Sequence, residues 1–248
     1  MTSSWRIDIS SIFIFAVFAV CPATRTLSAQ QPDGASVIQG IDAAVKARVD
    51  NVAGYTVTEH YAVFRGHDEA HPVAEMRVRT TYAKGTGKSY TVLSKSGSAL
   101  IAKFVLDPLL ENERTVNQPG NVEHAWITSG NYQMKLKADD AQPIDGRQCL
   151  LLTIEPRRKA PNLIEGTLWV DAKDYSIVQI QGTATKSPSF LTGAAEVSRQ
   201  YVNINGYSMA THAKAASNSS LLGQTIIKID YVDYQLSLIT GKSTSVNP

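Results

Sequence analysis

The strongest constraint on this chain is a strict two-residue alternation, clearest from Glu165 to Phe190, EGTLWVDAKDYSIVQIQGTATKSPSF. Successive side chains of a pleated strand point to opposite faces, so apolar residues at every second position demand a sheet with one covered face. Ile164, Gly166, Leu168 and Val170 share one face, and Glu165, Thr167, Trp169 and Asp171 share the other. Val178, Ile180, Gly182 and Ala184 repeat the scheme opposite Gln179, Gln181 and Thr183, with Ala172-Lys173-Asp174-Tyr175 as the reversal. The apolar face must meet either a core or a ligand.

The same alternation recurs along the chain. From Gly54, Tyr55, Val57, Tyr61 and Val63 alternate with Thr56, Thr58 and His60; after a polar loop, Ala74, Met76, Val78 and Tyr82 share a face, and Ser89 to Ser96 closes a first meander. Glu59 falls on the apolar parity, where a buried carboxylate needs a partner whether its role is structural or functional. A second set of strands is predicted at Val122–Thr128 and Tyr132–Lys137 around Ser129-Gly130, and after the Asp145-Gly146 turn at Leu150, Leu152 and Ile154. Val197–Ile204 and Tyr207–Ala215 flank Asn205-Gly206, the strongest hairpin signal in the chain. In the last strand, Gln224 to Leu236, the apolar parity changes from Ile227 and Ile229 to Val232, Tyr234 and Leu236, which predicts a bulge around Tyr231.

Two segments carry helical spacing instead. Ser36 is the expected N-cap of a helix from Val37 to about Asn51, with Val37, Ile38, Ile41, Ala44, Val45 and Val49 as its apolar stripe. Leu100, Ile101, Phe104 and Val105 mark a second, which breaks and restarts at Asp107-Pro108 before Leu109 and Leu110. The fold class is therefore mainly β (α+β): about ten antiparallel strands and two helical insertions in a strongly curved sheet or an incomplete barrel.

The N-terminus reads as an export leader: Arg6, an apolar run from Ile12 to Val20, then Leu27-Ser28-Ala29 before Gln30. A run of about 9 residues falls well short of the roughly 20 that span a bilayer, so residues 1–29 are expected to be a cleaved signal peptide and not an integral membrane span. Val20 stands where a small residue precedes an acylated cysteine, which argues against lipid anchoring at Cys21. The remaining residues 30–248 are expected to form one domain in the periplasm, since no linker or charge block divides them. Basic and acidic residues number 24 and 22, a balance that argues against a nucleic-acid binder. Only Cys149 survives removal of the leader, so no internal disulfide is available.

The chemical motifs do not assemble. Gly85-Thr86-Gly87-Lys88-Ser89 invites a phosphate-loop reading, yet Tyr82 stands where the first glycine belongs and a strand follows where a helix should. His67-Asp68-Glu69-Ala70-His71 has Asp68 in place of the catalytic glutamate of a zinc-protease motif and Pro72 after it, so a polar turn is expected and no metal or cofactor. No Gly-x-Ser-x-Gly elbow is present, and Cys149 lies in an apolar strand where an inert thiol is expected. The chain is not expected to be an enzyme; a hydrolase with a dispersed site ranks last.

What remains is apolar surface on a curved sheet, which encloses a cavity for hydrocarbon chains if its side chains are mixed in size. By strand parity and position on the broken helix, the expected lining residues are Tyr61, Met76, Val78, Leu100, Phe104, Val105, Leu168, Val170 and Ile180. The order of elements, with the Gly166-Thr167-Leu168-Trp169-Val170-Asp171 strand and the Tyr201 to Tyr207 hairpin, resembles the LolA-like superfamily of periplasmic outer-membrane lipoprotein-sorting proteins over nearly all of the mature chain. The resemblance implies an unclosed antiparallel β-barrel with helices as a lid over a hydrophobic cavity, in which the family holds the acyl chains of lipoproteins. It also implies an interior arginine linking sheet to lid, whereas Arg77 and Arg79 here sit on the polar parity. The expected function is a periplasmic carrier or sensor of lipid or lipoprotein acyl chains; the alternative is an envelope regulatory module that binds a protein partner on the same fold.

Overall fold

The alternating segments pair into one antiparallel sheet. The computed structural model describes residues 33–66, 68–137, 143–160, 162–186, 195–219, 223–239 and 244–246; the expected leader with Cys21, His67 and the end of the opening hairpin from Ser187 lie outside them. Its strands are β1 (Val52–Arg65), β2 (Ala74–Ala83), β3 (Gly87–Gly97), β4 (Tyr132–Leu136), β5 (Pro143–Ile144), β6 (Arg147–Pro156), β7 (Ile164–Asp171), β8 (Ile177–Ala184), β9 (Ala195–Ile204), β10 (Tyr207–Ser219), β11 (Gly223–Leu238) and β12 (Thr244–Val246). The order across the sheet is β3-β2-β1-β11-β10-β9-β8-β7-β6-β4, with β12 beside β11 and β5 beside β6. Among the described residues no pairing joins the edge strands β3 and β4. The sheet is thus an unclosed barrel, built from a short meander, β1 to β3, and a long one, β6 to β11, which returns so that β11 pairs with β1.

The turns form where the sequence demands them. Asn205 and Gly206 have φ of 54° and 88°, and Asp145 and Gly146 have 48° and 76°, the paired left-handed residues of a two-residue hairpin whose twist matches its strands. The register of β11 on β1 shifts between Thr56 and Thr58, and Asp233 takes a φ of 59°. The bulge therefore lies just beyond Tyr231: Ile227, Ile229 and Tyr231 are buried on one parity, Tyr234 and Leu236 on the next, and Val232 is exposed.

Three expected elements are corrected. Helix α1 spans Gly34–Asn51, and Asp33, not Ser36, is its N-cap; the Asp33 carboxylate accepts the Ser36 amide at 3.4 Å. Val122–Ala125 is a 3₁₀ turn and not a strand, and β4 pairs with β6 instead. Local hydrogen bonds decide this: Asn131 Nδ2 donates to the carbonyls of Glu123 and Trp126, both at 2.8 Å, and Ser129 donates its amide and hydroxyl to Asp42 of α1 at 2.8 and 2.5 Å. The second helix does restart at Asp107-Pro108, but through a wide turn: α2 (Ala99–Ile101) passes into a π-helical turn, Ala102–Leu106, and then into α3 (Asp107–Val116). Pro108 sits in the first turn of α3, directly after the π-helical turn.

Two apolar cores result, one under each helical segment. Val37 and Ile41 of α1 are buried with Leu152, Ile154, Leu168, Val170 and Ile180 of the long meander. Val105, Leu106, Leu109 and Leu110 are buried with Tyr61, Val63, Met76 and Val78 of the short one. Gly40 keeps α1 close to the β7–β8 turn, since a Cβ there would lie 2.2 Å from the ring of Tyr175. Arg147 binds Asp171 at 2.8 Å and the Ser176 hydroxyl at 2.7 Å, which fastens the same turn to β6.

Candidate functional site

Between the two helical segments and the sheet lies a cavity of about 500 Å³, within the roughly 300–1,000 Å³ of small-molecule sites. The apolar stripe of α1 serves two purposes: its first half enters the core, and its last turns present Val45, Arg48 and Val49 to the cavity. In α3 Leu109, Asn112, Glu113 and Val116 line it, the i, i+3, i+4, i+7 spacing of one helical face. The sheet contributes Ile180 from β8, Val197, Arg199 and Tyr201 from one parity of β9, Met209 from β10, and Ile227, Ile229 and Tyr231 from β11. The helices thus form a lid over mostly apolar walls.

The centre of this cavity is charged. Glu59 of β1 and Lys88 of β3 are 1% and 7% exposed, and the Lys88 ammonium lies 3.0 Å from Glu59 and 3.3 Å from Glu113, to which it donates a hydrogen bond. Tyr61, two residues along the same face of β1, donates its hydroxyl to the other oxygen of Glu59. Burial opposes the Lys88 charge, but Glu113 and Glu59 outweigh it and hold its pKa well above the usual lysine value. Burial likewise works to raise the Glu113 carboxyl, and Lys88 and Arg199 overcome it and hold that carboxyl below its ordinary value. Arg199 stands 4.0 Å from Glu113, and Tyr201 foremost favours its cationic form. Burial pushes the phenols of Tyr55, Tyr231 and Tyr234 up, so all three are neutral hydroxyls at pH 7. The chain Arg199, Glu113, Lys88, Glu59 therefore runs from sheet to lid and back to sheet.

Of the residues expected to line a cavity, Ile180 does so. Tyr61, Met76, Val78 and Val105 are buried in the core under the broken helix, and Leu168 and Val170 in the core under α1. Leu100 of α2 and Phe104 of the π-helical turn are 68% and 61% exposed and do not line the cavity. Parity reasoning placed apolar residues on the right face but could not tell which stretch of that face a helix would cover. The polar residues were less apparent. Glu59 and Arg199 interrupt apolar parities, and Glu113 follows Leu109 at helical spacing, which are legible signals; Lys88 sits at a strand start with no pattern to mark it.

The two rejected motifs have structural places. Gly87, at φ 79°, brings the β2–β3 turn against the end of α3, where a Cβ would lie 2.6 Å from the Asn117 carbonyl oxygen, and so aims Lys88 inward. Asp68 caps a polar turn by accepting the amides of Ala70 and His71 at 2.9 and 3.2 Å, and Glu69 pairs with Lys214 and Lys228, each at 2.9 Å. Cys149 is buried, and burial pushes its thiol up. Among the described residues no three His, Cys, Asp or Glu side chains are placed to hold a metal ion, and no helix is long and apolar enough to cross a membrane.

Fold and site together define an unclosed antiparallel β-barrel with a helical lid over a cavity that is apolar in its walls and charged at its centre. Solved structures similar to this chain include a LolA superfamily protein from Nitrosomonas europaea, at 14% identity over 84% of this chain and 94% of that one, with a TM-score of 0.42. A protein assigned as an outer membrane lipoprotein-sorting domain from Vibrio parahaemolyticus is similar at 13% identity over 84% and 93%, with a TM-score of 0.45. A DUF1329 family protein from Desulfovibrio piger is similar at 13% over 80% and 92%, with a TM-score of 0.39. No family model and no curated protein matches the sequence. Likeness at this level assigns no residue a role.

Proposed function

We propose that this protein is a periplasmic carrier or sensor that holds the acyl chain of a lipid or lipoprotein in the cavity beneath its lid. The observation that carries this is the cavity itself: about 500 Å³ beneath the helices, walled by Val45, Val49, Leu109, Ile180, Ile227 and Ile229. Removing hydrocarbon from water is favourable by roughly 0.8 kcal/mol per methylene, so a chain of moderate length gains enough there to offset its ordering. The export leader expected at residues 1–29 supports a periplasmic location for the domain from residue 30 onward, and the proposal involves no covalent chemistry.

Ala215→Trp, which fills the cavity from β10, is expected to weaken binding of a fluorescent fatty acid about tenfold or more, equivalent to 1.4 kcal/mol, while Lys137→Asp outside it leaves binding unchanged. Equal binding in both variants would remove the cavity from the proposal. A partner-binding module on the same fold is the second reading, favoured by the exposed Leu100 and Phe104 on the lid segment. A stoichiometric envelope protein that Phe104→Asp releases, with fatty-acid binding intact, would favour it.

A further inference from the structure

We infer that the cavity takes an amphiphile with a single anionic head, a carboxylate or a phosphate, and that Arg199 receives this head while the chain lies along the apolar walls. This deepens the proposed acyl-chain function and rests on it. The observation is an imbalance of partners at the cavity centre. Lys88 already faces two carboxylates, at 3.0 and 3.3 Å, which balance its charge. Arg199 has one carboxylate, Glu113, at 4.0 Å and shared with Lys88; Tyr201 takes a further side-chain hydrogen bond from it, and its Nε is buried with no acceptor. Arg48 of α1 also lines the cavity; its Nε too is buried without an acceptor, and among the described residues it has no ion pair.

A buried guanidinium nitrogen without an acceptor is costly, and a guanidinium fits a carboxylate or phosphate with two parallel hydrogen bonds. On the cavity lining Arg48, Lys88 and Arg199 give three cations against the two carboxylates Glu59 and Glu113. The remaining charged groups on the lining do not change this balance there: Asp174 is exposed in the β7–β8 turn and accepts from Asn203 at 3.5 Å, and Lys214 is held by Glu69 at 2.9 Å. An anionic head supplies the acceptor that the Arg199 Nε lacks, and a neutral one leaves it unmet. The head also competes with Glu113 for Arg199, which couples occupancy to α3.

The experiment is calorimetric titration of the purified full chain with decanoate, decanol, decyl phosphate and inorganic phosphate. Decanoate or decyl phosphate is expected to bind about tenfold or more tighter than decanol. Whichever of the two is tighter identifies the head. Arg199→Gln should bring that ratio close to one by weakening the anion alone, and Glu113→Gln should raise it by removing the competing carboxylate. If Arg199→Gln does not fold, Glu113→Gln still decides the matter, because a ratio that stays the same or falls in it overturns the claim. Decanol bound as tightly as both anions in the unaltered chain overturns the anionic head and leaves the acyl cavity standing. Inorganic phosphate bound as tightly as decyl phosphate overturns the amphiphile in favour of a free anion, and no binding by any of the three decyl compounds removes both this inference and the function beneath it.

Discussion

Lys88→Met is expected to cost about 3–5 kcal/mol of unfolding free energy, the usual consequence of removing one partner from a buried ion pair. The methionine keeps most of the side-chain volume, so the loss is one of charge. Glu59, 1% exposed, is left with only the Tyr61 hydroxyl, and Glu113 keeps only the distant Arg199. Adding Glu59→Gln should restore part of the loss, because a neutral amide needs no counter-charge. Lys46→Met, which removes an exposed partner of Asp50 on α1, should leave the midpoint essentially unchanged. The effect also has a defined pH window. Because the Glu113 carboxyl is held below its ordinary 4.5, its contribution is fully present above pH 4.5 and is lost as the pH falls through the lowered value. Because Lys88 is held above its ordinary 10.5, its contribution is full below pH 10.5 and is lost as the pH rises through the raised value. The gap between the two proteins in chemical denaturation should therefore be largest near neutrality and shrink in acid; a gap below 1 kcal/mol at pH 7 would show that the charged centre does not hold sheet and lid together.

Gly182→Ala is expected to cost about 3 kcal/mol, at the upper end of overpacking, and Gly166→Ala a similar amount. The two glycines face each other across β7 and β8. A Cβ on Gly182 would lie 2.1 Å from the Glu165 carbonyl oxygen, and one on Gly166 would lie 2.2 Å from that of Gln181. Backbone cannot yield as a side-chain tip can, so the strands would have to separate. Glycine pairs of this kind let a sheet bend sharply, and here the bend lies beside Ile164 and Ile180, both on the cavity wall. The same substitution at Gly85, which has open space around it, should be neutral or slightly stabilising in thermal unfolding. Equal effects at Gly85 and Gly182 would count against a tight crossing.

Alternation in the sequence carried most of the sheet. Period two in Leu168, Val170 and Ile180 identified the covered face correctly, and Asn205-Gly206 and Asp145-Gly146 fixed two registers through their left-handed residues. Where local hydrogen bonds compete with pairing, the turn signal misled: Ser129-Gly130 suggests a hairpin with a strand at Val122 to Thr128, yet Asn131 and Asp42 hold that region in turns. The opening hairpin shares a core with α1 through Leu168, Val170, Ile177 and Ile180, and Ile164, Asp174, Ser176, Ile177 and Ile180 reach the cavity. Charged residues on apolar parities mark the charged part of the cavity: Glu59 stands on one, legible in the sequence only as a carboxylate in need of a partner, and Arg199, between Val197 and Tyr201, is a second that parity reasoning missed. Their convergence with Lys88 and Glu113 depends on pairings between residues far apart in the chain, which no local pattern encodes.

The central claim is that the cavity holds an acyl chain, and native mass spectrometry of the purified chain after incubation with a total lipid extract tests it most directly. The expected result is a single mass excess equal to one acyl-bearing molecule, absent from Ala215→Trp. Unliganded mass in the unaltered chain, or the same excess in both proteins, would contradict it.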